Sequence, residues 1–506
     1  MLARVFSVAS VGLESFRVEV EVDVAEKGFP GFNIVGLPDK AVGEARERVR
    51  TALVNSGFGF PQKKITVNLA PADVPKEGSA YDMAIALGIL KANGDIENKL
   101  DGLFYGELSL DGSFRHTKGC LLVSLFAKKN GDETLFVPVL SANEAAVVSG
   151  VIVMPVRNLR ELAGFFVDGR CIEPLRSVDV VSLIENASSE YDLSEIVGQE
   201  TAKRAMMIAA AGGHNLLMSG PPGSGKTMLS RALPGILPLM SEEESLEVTR
   251  IYSAAGLMQP GEAVIRRRPF RSPHHSTSMA GLIGGGSHPQ PGEVSLAHLG
   301  ILFLDEMAEF PRGVLEAMRQ PMEDGRVEIS RALGRVTYPA SFQLVAAVNP
   351  CPCGFLGHPS VECKCTERDV EKYKRKISGP ILDRIDLQVN VPAIEAGQIL
   401  NGKSSGETSV EVRKKIMRSR EIQKGRLQKL GIFCNSRLKN KQINEFCKLD
   451  KEGERLLKMA MDKYSFSTRA YFRILKVCRT IADLEGAESI SAAHVAEAVG
   501  YRERVF

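Results

Sequence analysis

The fold is decided by the stretch Gly212-Gly213-His214-Asn215-Leu216-Leu217-Met218-Ser219-Gly220-Pro221-Pro222-Gly223-Ser224-Gly225-Lys226-Thr227. Its short apolar run from Leu216 to Met218 predicts a buried strand, and the residues after Thr227 repeat apolar side chains at helical spacing. A strand, a glycine-rich loop and a helix in this order are the context that the pattern G-x-x-x-x-G-K-[ST] requires. The stretch therefore predicts a P-loop.

A P-loop predicts a nucleotide site with ATP and Mg²⁺ as cofactors. In such a loop the backbone N–H groups turn inward around a β-phosphate, and the next helix directs its positive end at the anion. Lys226 reaches the β- and γ-phosphates, and the Thr227 hydroxyl binds Mg²⁺. A chance glycine-rich turn is the alternative, which the complete motif disfavours. The expected nucleotide ligands are Gly220, Pro221, Pro222, Gly223, Ser224, Gly225, Lys226 and Thr227.

Two carboxylates follow a second apolar run, Gly300–Leu304, about eighty residues later. Four consecutive apolar residues indicate a strand buried on both faces, and ligands of parallel sheets bind at the carboxyl ends of the strands. Asp305 can hold Mg²⁺ through water, and Glu306 can polarise the attacking water. A pair of helix-capping carboxylates is the alternative. A third apolar run ends in Asn349, whose amide can orient the same water.

The composition is that of an ordinary soluble protein. The 506 residues are 44% hydrophobic and 25% charged, and the net charge of +3 means that any nucleic-acid surface is local. No apolar run approaches the roughly eighteen residues of a membrane span. Nine cysteines, an odd number with four clustered, do not suggest a disulfide framework. We therefore expect a reducing, cytoplasmic location and no membrane partner.

The pattern of elements predicts an α/β chain of several domains. The alternating residues Phe16, Val18, Val20 and Val22 predict a half-buried strand in the first part, where strands alternate with helical segments. This part carries no phosphate-binding motif. The expected domains are an N-terminal domain at 1–175, a linker at 176–191, a P-loop core with a parallel sheet at 192–395, and a C-terminal helical lid at 396–506.

The N-terminal part contains a segment, Pro75–Ala84, that resembles the catalytic segment of Lon-type proteases. That family uses a serine–lysine dyad, and the resemblance places Ala80 at the serine position and Leu121 at the lysine position. Ser79 lies one residue away and is the alternative nucleophile. A dyad that lacks both partners cannot activate a nucleophile. We therefore expect a Lon-like scaffold or binding domain and not an active protease.

Four cysteines, Cys351, Cys353, Cys363 and Cys365, form a C-x-C…C-x-C pattern with nine residues between the pairs. Four thiolates at this spacing match a closed, tetrahedral Zn²⁺ site. The alternative is four free thiols in a loop. A zinc ion here would hold the loop that directly follows Asn349.

Two arginine-bearing segments are candidates for contact with DNA. The first contains Arg266, Arg267, Arg268 and Arg271 around Phe270, which suits phosphate contact and base stacking. Packing against a neighbouring subunit is a nearly equal alternative. The adjacent His274 and His275 are candidates for metal ligands, although local hydrogen bonds are the preferred interpretation.

The second segment is a predicted hairpin, in which residues 326–331 and 335–338 flank Ala332, Leu333 and Gly334. Its residues Arg331 and Arg335 are the side chains that we expect nearest to DNA.

Several motifs together resemble the magnesium-chelatase-like AAA+ ATPases of the ComM/YifB family, over essentially the whole chain. They are the P-loop, Leu304-Asp305-Glu306, Asn349-Pro350-Cys351-Pro352-Cys353-Gly354, Ser378–Asp386 and Arg479–Gly486. The resemblance implies a homo-oligomer, expected to be a hexamer, and a helicase that promotes branch migration of DNA during natural transformation. The alternative function is a chelatase-type motor that remodels a protein partner.

The same resemblance implies roles for three further side chains. Asn349 matches sensor 1. Arg384 matches the arginine finger, which reaches the neighbouring subunit's site and is worth roughly 10³–10⁵ in rate; a surface salt bridge with Asp383 or Asp386 is the alternative. Arg469 matches sensor 2, with Arg473 one turn further as the alternative.

Overall fold

The computed structural model describes residues 2–26, 29–186, 190–286, 289–331, 334–358, 360–393 and 406–502. The strands of the first part are β1 Leu2–Val11, β2 Glu14–Val24, β3 Gly31–Val35, β4 Lys64–Ala70, β5 Leu103–Phe104, β6 Glu107–Leu108, β7 Phe114–Arg115, β8 Thr134–Pro138 and β9 Ile152–Val156. Its helices are α1 Lys40–Asn55, α2 Asp82–Asn93, α3 Cys120–Asn130, α4 Val139–Ala145, α5 Leu159–Val167 and α6 Val180–Glu185.

The later strands are β10 Leu216–Ser219, β11 Phe270–Arg271, β12 Gly284–Gly285, β13 Gln290–Pro291, β14 Ile301–Leu304, β15 Arg326–Arg331, β16 Gly334–Pro339, β17 Gln343–Val348 and β18 Leu387–Asn390. The helices around them are α7 Glu200–Gly212, α8 Lys226–Ile236, α9 Glu242–Ala255, α10 Met279–Ile283, α11 Glu293–Leu296, α12 Arg312–Ala317, α13 Arg319–Asp324, α14 Glu367–Lys374 and α15 Gly379–Leu382. The C-terminal helices are α16 Ser409–Leu427, α17 Asn440–Phe446, α18 Lys451–Tyr464, α19 Thr468–Glu485 and α20 Ala492–Gly500.

The first part forms a seven-stranded mixed sheet in the order β3-β4-β2-β1-β5-β8-β9. The strand β2 pairs antiparallel with β1 and with β4, whereas β1–β5, β5–β8 and β8–β9 are parallel pairs. Val18, Val20 and Val22 are fully buried, as their alternation predicts, whereas Phe16 near the start of β2 is exposed. Asp39 caps α1 by accepting a hydrogen bond from Val42 N at 2.7 Å, which explains why the helix begins there.

The predicted P-loop core contains a five-stranded parallel sheet in the order β11-β14-β17-β10-β18. All residues of β10, β14 and β17 are buried, as continuous apolar runs predict for a sheet covered on both faces. Gly220, Asp305 and Asn349 each follow one of these strands directly. Because the strands are parallel, all three lie at the carboxyl edge of the sheet.

The hairpin that the sequence predicts is present as β15 and β16, with Ser330 opposite Arg335 and Arg331 opposite Gly334. Its apolar residues, including Val327 and Val336, join the hydrophobic cluster that also holds β14 and β17. Ala332, Leu333 and the side chain of Arg331 lie outside the described residues. The hairpin is therefore anchored at its base on the P-loop sheet.

The first part packs directly against the P-loop core. Gly12, in the turn between β1 and β2, approaches Val336 so closely that a Cβ atom would lie 2.3 Å from Val336 Cγ1. The buried Glu144 of α4 accepts a hydrogen bond from Ser253 Oγ of α9 at 2.6 Å. Burial raises the pKa of the Glu144 carboxyl, and the bonds from Ser253 and Leu121 N oppose this rise.

The stretch 176–191, predicted to be a linker, contains the helix α6. Its residues Val180 and Ile184 are buried against Ala263 and Val264 of the P-loop core. The weak periodicity of this stretch concealed the helix because only two residues of its six are buried. The domain boundaries stay a prediction.

The C-terminal helices share one hydrophobic cluster with α7, α8 and the sheet. The buried His214, which precedes β10, lies with Nε2 2.8 Å from Thr480 Oγ1 of α19, so a hydrogen bond joins the sheet to the helical region. No helix in the described part of the chain combines the length and the apolar character that crossing a bilayer demands.

Candidate functional site

The loop after β10 has the backbone of a phosphate-binding turn. Gly223 and Gly225 take φ values of +75° and +90°, which favour glycine. Gly220 lies against the residue that directly follows β18, where a Cβ atom would meet Val391 O at 2.1 Å. Gly225 precedes α8 without a capping side chain, so the first N–H groups of α8 remain available to an anion.

Lys226 lies inside the loop, with 8% of its surface exposed. Its ammonium group donates hydrogen bonds to Gly220 O at 2.7 Å and Pro221 O at 2.9 Å, and it lies 3.4 Å from Asn349 Oδ1. Burial lowers the pKa of Lys226, while the nearby carboxylate of Asp305 opposes the shift. The cation thus joins the loop to the tip of β17.

The oxygen atoms expected to bind Mg²⁺ are adjacent. Thr227 Oγ1 donates a hydrogen bond to Asp305 Oδ2 at 2.9 Å, although the two residues are far apart in sequence. A hydroxyl and a carboxylate are the hard oxygen ligands that Mg²⁺ prefers, and the ion commonly keeps several waters beside them. This donor set fits the predicted metal.

Glu306 has a left-handed backbone, with φ +49° and ψ +47°. This conformation costs a non-glycine residue on the order of 1–3 kcal/mol and is concentrated at functional sites. The Glu306 side chain is 54% exposed, and Oε2 lies 3.8 Å from His275 Nδ1. The position of His275 beside the acidic strand is not predictable from the sequence, in which its place in a glycine-rich segment is the only signal. His274 makes a local hydrogen bond, as the sequence interpretation favours, with Nδ1 2.8 Å from Ser276 Oγ.

Gln199, which precedes α7, contacts the loop. Its side-chain amide donates to Ser224 O at 3.2 Å and to Pro392 O at 2.8 Å. The backbone of Gln199 is left-handed, with φ +59°. It therefore holds the P-loop against the residues that follow β18.

Arg384 lies at the opposite, amino edge of the sheet. Its carbonyl accepts a hydrogen bond at 2.8 Å from Nδ2 of Asn215, the residue before β10. The four residues of β10 therefore separate Arg384 from the P-loop, a distance of roughly 13 Å. The guanidinium group donates to Pro380 O at 2.7 Å and pairs with Glu323. Arg384 thus forms a salt bridge within its own chain, as the alternative interpretation expects, but its partner is Glu323 of α13 and not Asp383 or Asp386.

Arg473 and Arg469 have different environments on α19. Arg473 pairs with the buried Asp386 and donates to Arg384 O at 3.1 Å. Burial alone would raise the pKa of Asp386, but Arg473 and His214 hold it well below its usual range. Arg469 is exposed and has no hydrogen bond or ion pair within the described residues. It is therefore the freer of the two candidates for sensor 2.

The four predicted zinc ligands converge. Cys351, Cys353 and Cys363 have Sγ–Sγ distances of 3.4, 3.6 and 3.7 Å, and all four sulfur atoms, with Cys365, lie within 4.8 Å of one another. Tetrahedral zinc with Zn–S bonds near 2.3 Å needs sulfur atoms roughly 3.8 Å apart. Backbone N–H groups of Phe355 and Lys364 lower the pKa of Cys353 to about 6, whereas burial and the adjacent sulfur atoms raise the pKa values of Cys363 and Cys365. Metal binding would therefore have to release protons from the latter two thiols.

The arginines predicted to contact DNA fall into two groups. Arg268 is inside the protein: it donates to Pro238 O at 2.7 Å and Leu299 O at 2.8 Å and pairs with Glu244 at 2.8 Å. Arg271 is held by both carboxylate oxygens of Glu293, at 2.6 and 2.7 Å. Both side chains have a structural role, because their N–H groups already donate to acceptors within the protein. The prediction that Arg268 and Arg271 contact DNA is therefore wrong.

Arg266, Arg267 and Arg335 are exposed. Arg335 is 65% exposed and pairs with Glu328 of the facing strand. No structural position can be given for the side chain of Arg331, which is outside the described ranges. The exposed arginines remain candidates for a nucleic-acid surface.

The Lon-like positions are part of the core. Ala80 is 6% exposed and Leu121 is fully buried. Ser79 Oγ donates to the Glu107 carboxylate, and the buried Lys76 donates to Pro71 O. Ser79 therefore has a carboxylate as its hydrogen-bond partner, and the Lys76 ammonium is bound to a backbone carbonyl.

Three family models match the chain and define its class. Residues 192–399 match "Magnesium chelatase, subunit ChlI", residues 20–141 match "Subunit ChlI of Mg-chelatase", and residues 406–502 match "Magnesium chelatase, subunit ChlI C-terminal". With the P-loop and the buried acidic strand in a parallel sheet, these matches define a magnesium-chelatase-like AAA+ protein.

Relatives that match the chain over its full length identify the family to which it belongs. The chain is 45% identical over 511 residues to competence protein ComM of Haemophilus influenzae, covering 100% of this chain and 98% of the relative. It is 42% identical over 504 residues to YifB of Escherichia coli, covering 99% and 97%. A more distant likeness, 26% over 259 residues, is to Lon protease 2 of Bacillus subtilis, covering 44% of this chain and 45% of the relative. The chain belongs to the ComM/YifB family of magnesium-chelatase-like AAA+ proteins.

Proposed function

We propose that this protein is a ring-forming ATPase that couples ATP hydrolysis to DNA remodelling, as a branch-migration helicase in natural transformation and recombination. The observation that carries the proposal is the division of the catalytic groups between two edges of one sheet. Lys226 and Glu306 lie at the carboxyl edge, whereas Arg384 lies at the amino edge. A complete site then requires two copies of the chain, and the relative from Haemophilus influenzae is named a competence protein.

The residues at the carboxyl edge have distinct tasks in this proposal. The loop N–H groups and Lys226 bind the phosphates, and Thr227 with Asp305 holds Mg²⁺. When bound, Mg²⁺ neutralises charge on the phosphate oxygens. Glu306 takes a proton from the attacking water, and Asn349 orients that water from the end of β17.

Two arginines complete the site of the next subunit. Arg384 is 7% exposed and bonded to Pro380 O and Glu323 of its own chain. In this proposal it must leave both partners for the phosphate of the neighbour, so hydrolysis depends on a rearrangement that accompanies ring assembly. Arg469 lies one helical turn from Arg473, which itself contacts the Arg384 carbonyl, so both proposed trans-acting groups share one edge. We propose a hexamer because the family resemblance implies six subunits, and a head-to-tail contact generates a ring when its rotation closes.

The DNA surface of this proposal consists of Arg331 and Arg335 on the hairpin and the exposed Arg266 and Arg267. Cations on a hairpin that projects from each subunit would line the pore of a ring and contact phosphates. We also propose one structural Zn²⁺ at the four cysteines. Gly354 of the cysteine loop lies so near the P-loop that its Cβ position is 2.7 Å from Pro222 Cδ, so the metal would stabilise one wall of the ATP site.

A chelatase-type motor that remodels a protein partner is the second candidate. It is favoured by 28% identity over 163 residues to the magnesium-chelatase 67 kDa subunit of Chlorobaculum parvum. That match covers 31% of this chain, whereas the competence relative matches throughout. DNA remodelling therefore has the broader support.

A synthetic four-way junction tests the function directly. The purified chain is incubated with the junction, ATP and Mg²⁺, and strand exchange is measured on a native gel, with Glu306→Gln as the inactive control. We expect ATP-dependent exchange by the wild type alone. Intact ATP turnover without strand exchange would refute branch migration, and a turnover rate insensitive to single-stranded DNA would favour a protein-remodelling motor.

A further inference from the structure

A cavity of about 500 Å³ opens at the end of α8 that is farthest from the P-loop. The eleven residues of α8 span roughly 16 Å, so the cavity is separate from the ATP site. Its wall includes Gly235 near the end of α8 and Arg268, which donates to Leu299 O just before β14. It therefore lies toward the amino edge of the sheet. Its size falls in the range of small-molecule sites, roughly 300–1,000 Å³.

The cavity carries a large excess of positive charge. One glutamate, Glu190, faces five arginines, which are Arg231, Arg266, Arg267, Arg268 and Arg413. Arg268 has a counter-ion in Glu244, but Arg231 donates to Tyr191 Oη at 3.0 Å and Arg413 donates to Gly235 O at 2.9 Å, which are neutral acceptors. Burial lowers the pKa of Arg413, and the charge of Asp192 opposes this shift. An anion would relieve this excess.

The remaining wall is apolar and partly aromatic. It includes Pro234, Leu237, Pro238, Leu239, Met240 and Phe270. The guanidinium carbon of Arg231 lies 5.7 Å from the centroid of the Tyr191 ring. Guanidinium groups beside flat apolar surfaces suit a ligand that combines phosphate with a planar ring, because one part forms charged hydrogen bonds and the other stacks.

We propose that this cavity is a second nucleotide-binding site, in which arginines bind phosphate and the Tyr191–Phe270 wall contacts the base. The nucleotide is either free in solution or one residue of a DNA strand that passes over the insert. The second source rests on the proposed function, whereas the first does not. Arg266 has no hydrogen bond or ion pair among the described residues, so it is available to such a ligand.

The test uses the full chain with Lys226→Ala. This substitution weakens nucleotide binding at the P-loop, so that binding at a second site can be measured. Arg231→Ala and Arg266→Ala are added together, and Arg455→Ala on the exposed face of α18 is the matched control. The probes are a fluorescent ADP and a short fluorescein-labelled single-stranded oligonucleotide. Because two donors of charged hydrogen bonds are removed, we expect the affinity of at least one probe to fall roughly tenfold or more. The control should leave both affinities unchanged.

The pattern of losses separates the sources. Loss of ADP affinity alone assigns a free nucleotide, and loss of oligonucleotide affinity alone assigns a nucleotide of DNA. Unchanged affinity for both probes overturns the proposal. So does reduced ring assembly in mass photometry with unchanged probe binding per chain, which would assign the arginines to a subunit contact.

Two controls exclude misfolding as the cause of a lower affinity. One is thermal melting of each variant, and the other is a second double variant, Arg231→Lys with Arg266→Lys. The lysine pair keeps the charge and should retain part of the affinity. A failure of the junction assay with intact cavity binding would refute only the proposed function. Loss of the cavity result with intact strand exchange would refute only this inference.

Discussion

At the scale of single residues, the backbone conformation of Glu306 and its place after a buried strand together determine the direction of its side chain. It follows a buried strand, and its left-handed φ turns the side chain away from the strand direction toward solvent and His275. The hydrogen bond between Thr227 and Asp305 places the predicted metal ligands beside it. A strained backbone at this residue is stabilised by the buried strand that precedes it, and the strain orients the proposed base.

Replacing Glu306 by glutamine should abolish proton abstraction while keeping the size of the side chain. We expect ATP turnover to fall by about 10²–10⁴, the usual contribution of a general base, with nucleotide affinity nearly unchanged. Steady-state hydrolysis and fluorescent-nucleotide titration measure the two quantities. Glu309→Gln, in the same loop, is the control and should keep wild-type turnover. Equal effects of the two substitutions would remove Glu306 from its proposed role.

At the scale of elements, the β15–β16 hairpin depends on a contact with the first sheet. The β1–β2 turn meets β16 at Gly12 and Val336, and the side chains of Val11 and Leu13 pack into the same hydrophobic cluster. A change in the hairpin therefore reaches the N-terminal part through direct packing. This contact is a physical route by which that part would influence a DNA-bound hairpin.

Substitution of Gly12 by alanine should disturb this contact. The added Cβ would lie 2.3 Å from Val336 Cγ1, and φ is +63°, so both a clash and backbone strain result. Gly131→Ala is the matched control, because φ is +75° and no atom lies within 4 Å of its Cβ position. We expect both variants to lose about 1 kcal/mol from strain, and Gly12→Ala to lose more and to reduce the stimulation of ATPase activity by DNA. Denaturant melts and DNA-dependent turnover measure this, and equal behaviour of the two variants would contradict the coupling.

The cysteine loop should bind one zinc ion per chain. Cys351→Ser removes one sulfur of the cluster, and we expect loss of zinc by elemental analysis together with slower ATP hydrolysis, because Asn349 and Pro222 lie against this loop. Cys171→Ser changes an exposed, isolated cysteine and should alter neither quantity. Wild-type protein purified without chelator and free of zinc would end the metal proposal.

At the scale of the whole molecule, one subunit holds two halves of different sites. The parallel sheet places the P-loop and Arg384, the proposed arginine finger, at opposite edges, roughly 13 Å apart along β10. Within one chain, neither a longer side chain nor a small shift of a loop would bring Arg384 to the P-loop. A head-to-tail ring does so for every subunit.

Mixing two inactive variants tests this arrangement. Lys226→Ala and Arg384→Ala should each hydrolyse ATP poorly. In an equal mixture, about a quarter of the interfaces combine an intact P-loop with an intact finger, so we expect about that share of wild-type turnover to return. A mixture of Lys226→Ala with Glu306→Gln is the control, since both lesions lie at the same edge and no interface becomes complete. Absence of recovery in the first mixture would place Arg384 outside the site.

The sequence by itself determined the elements whose chemistry is local. The P-loop, the buried acidic strand, the hairpin and the paired cysteines were predictable, because loop glycines, apolar runs and short spacings act within a few residues. Only the tertiary structure decided which distant side chains meet. It paired Arg268 with Glu244, Arg271 with Glu293 and Arg384 with Glu323, and it built an arginine-lined cavity from separate segments. Such pairings depend on packing between elements that are far apart in the sequence. No periodicity or spacing of residues therefore predicts them.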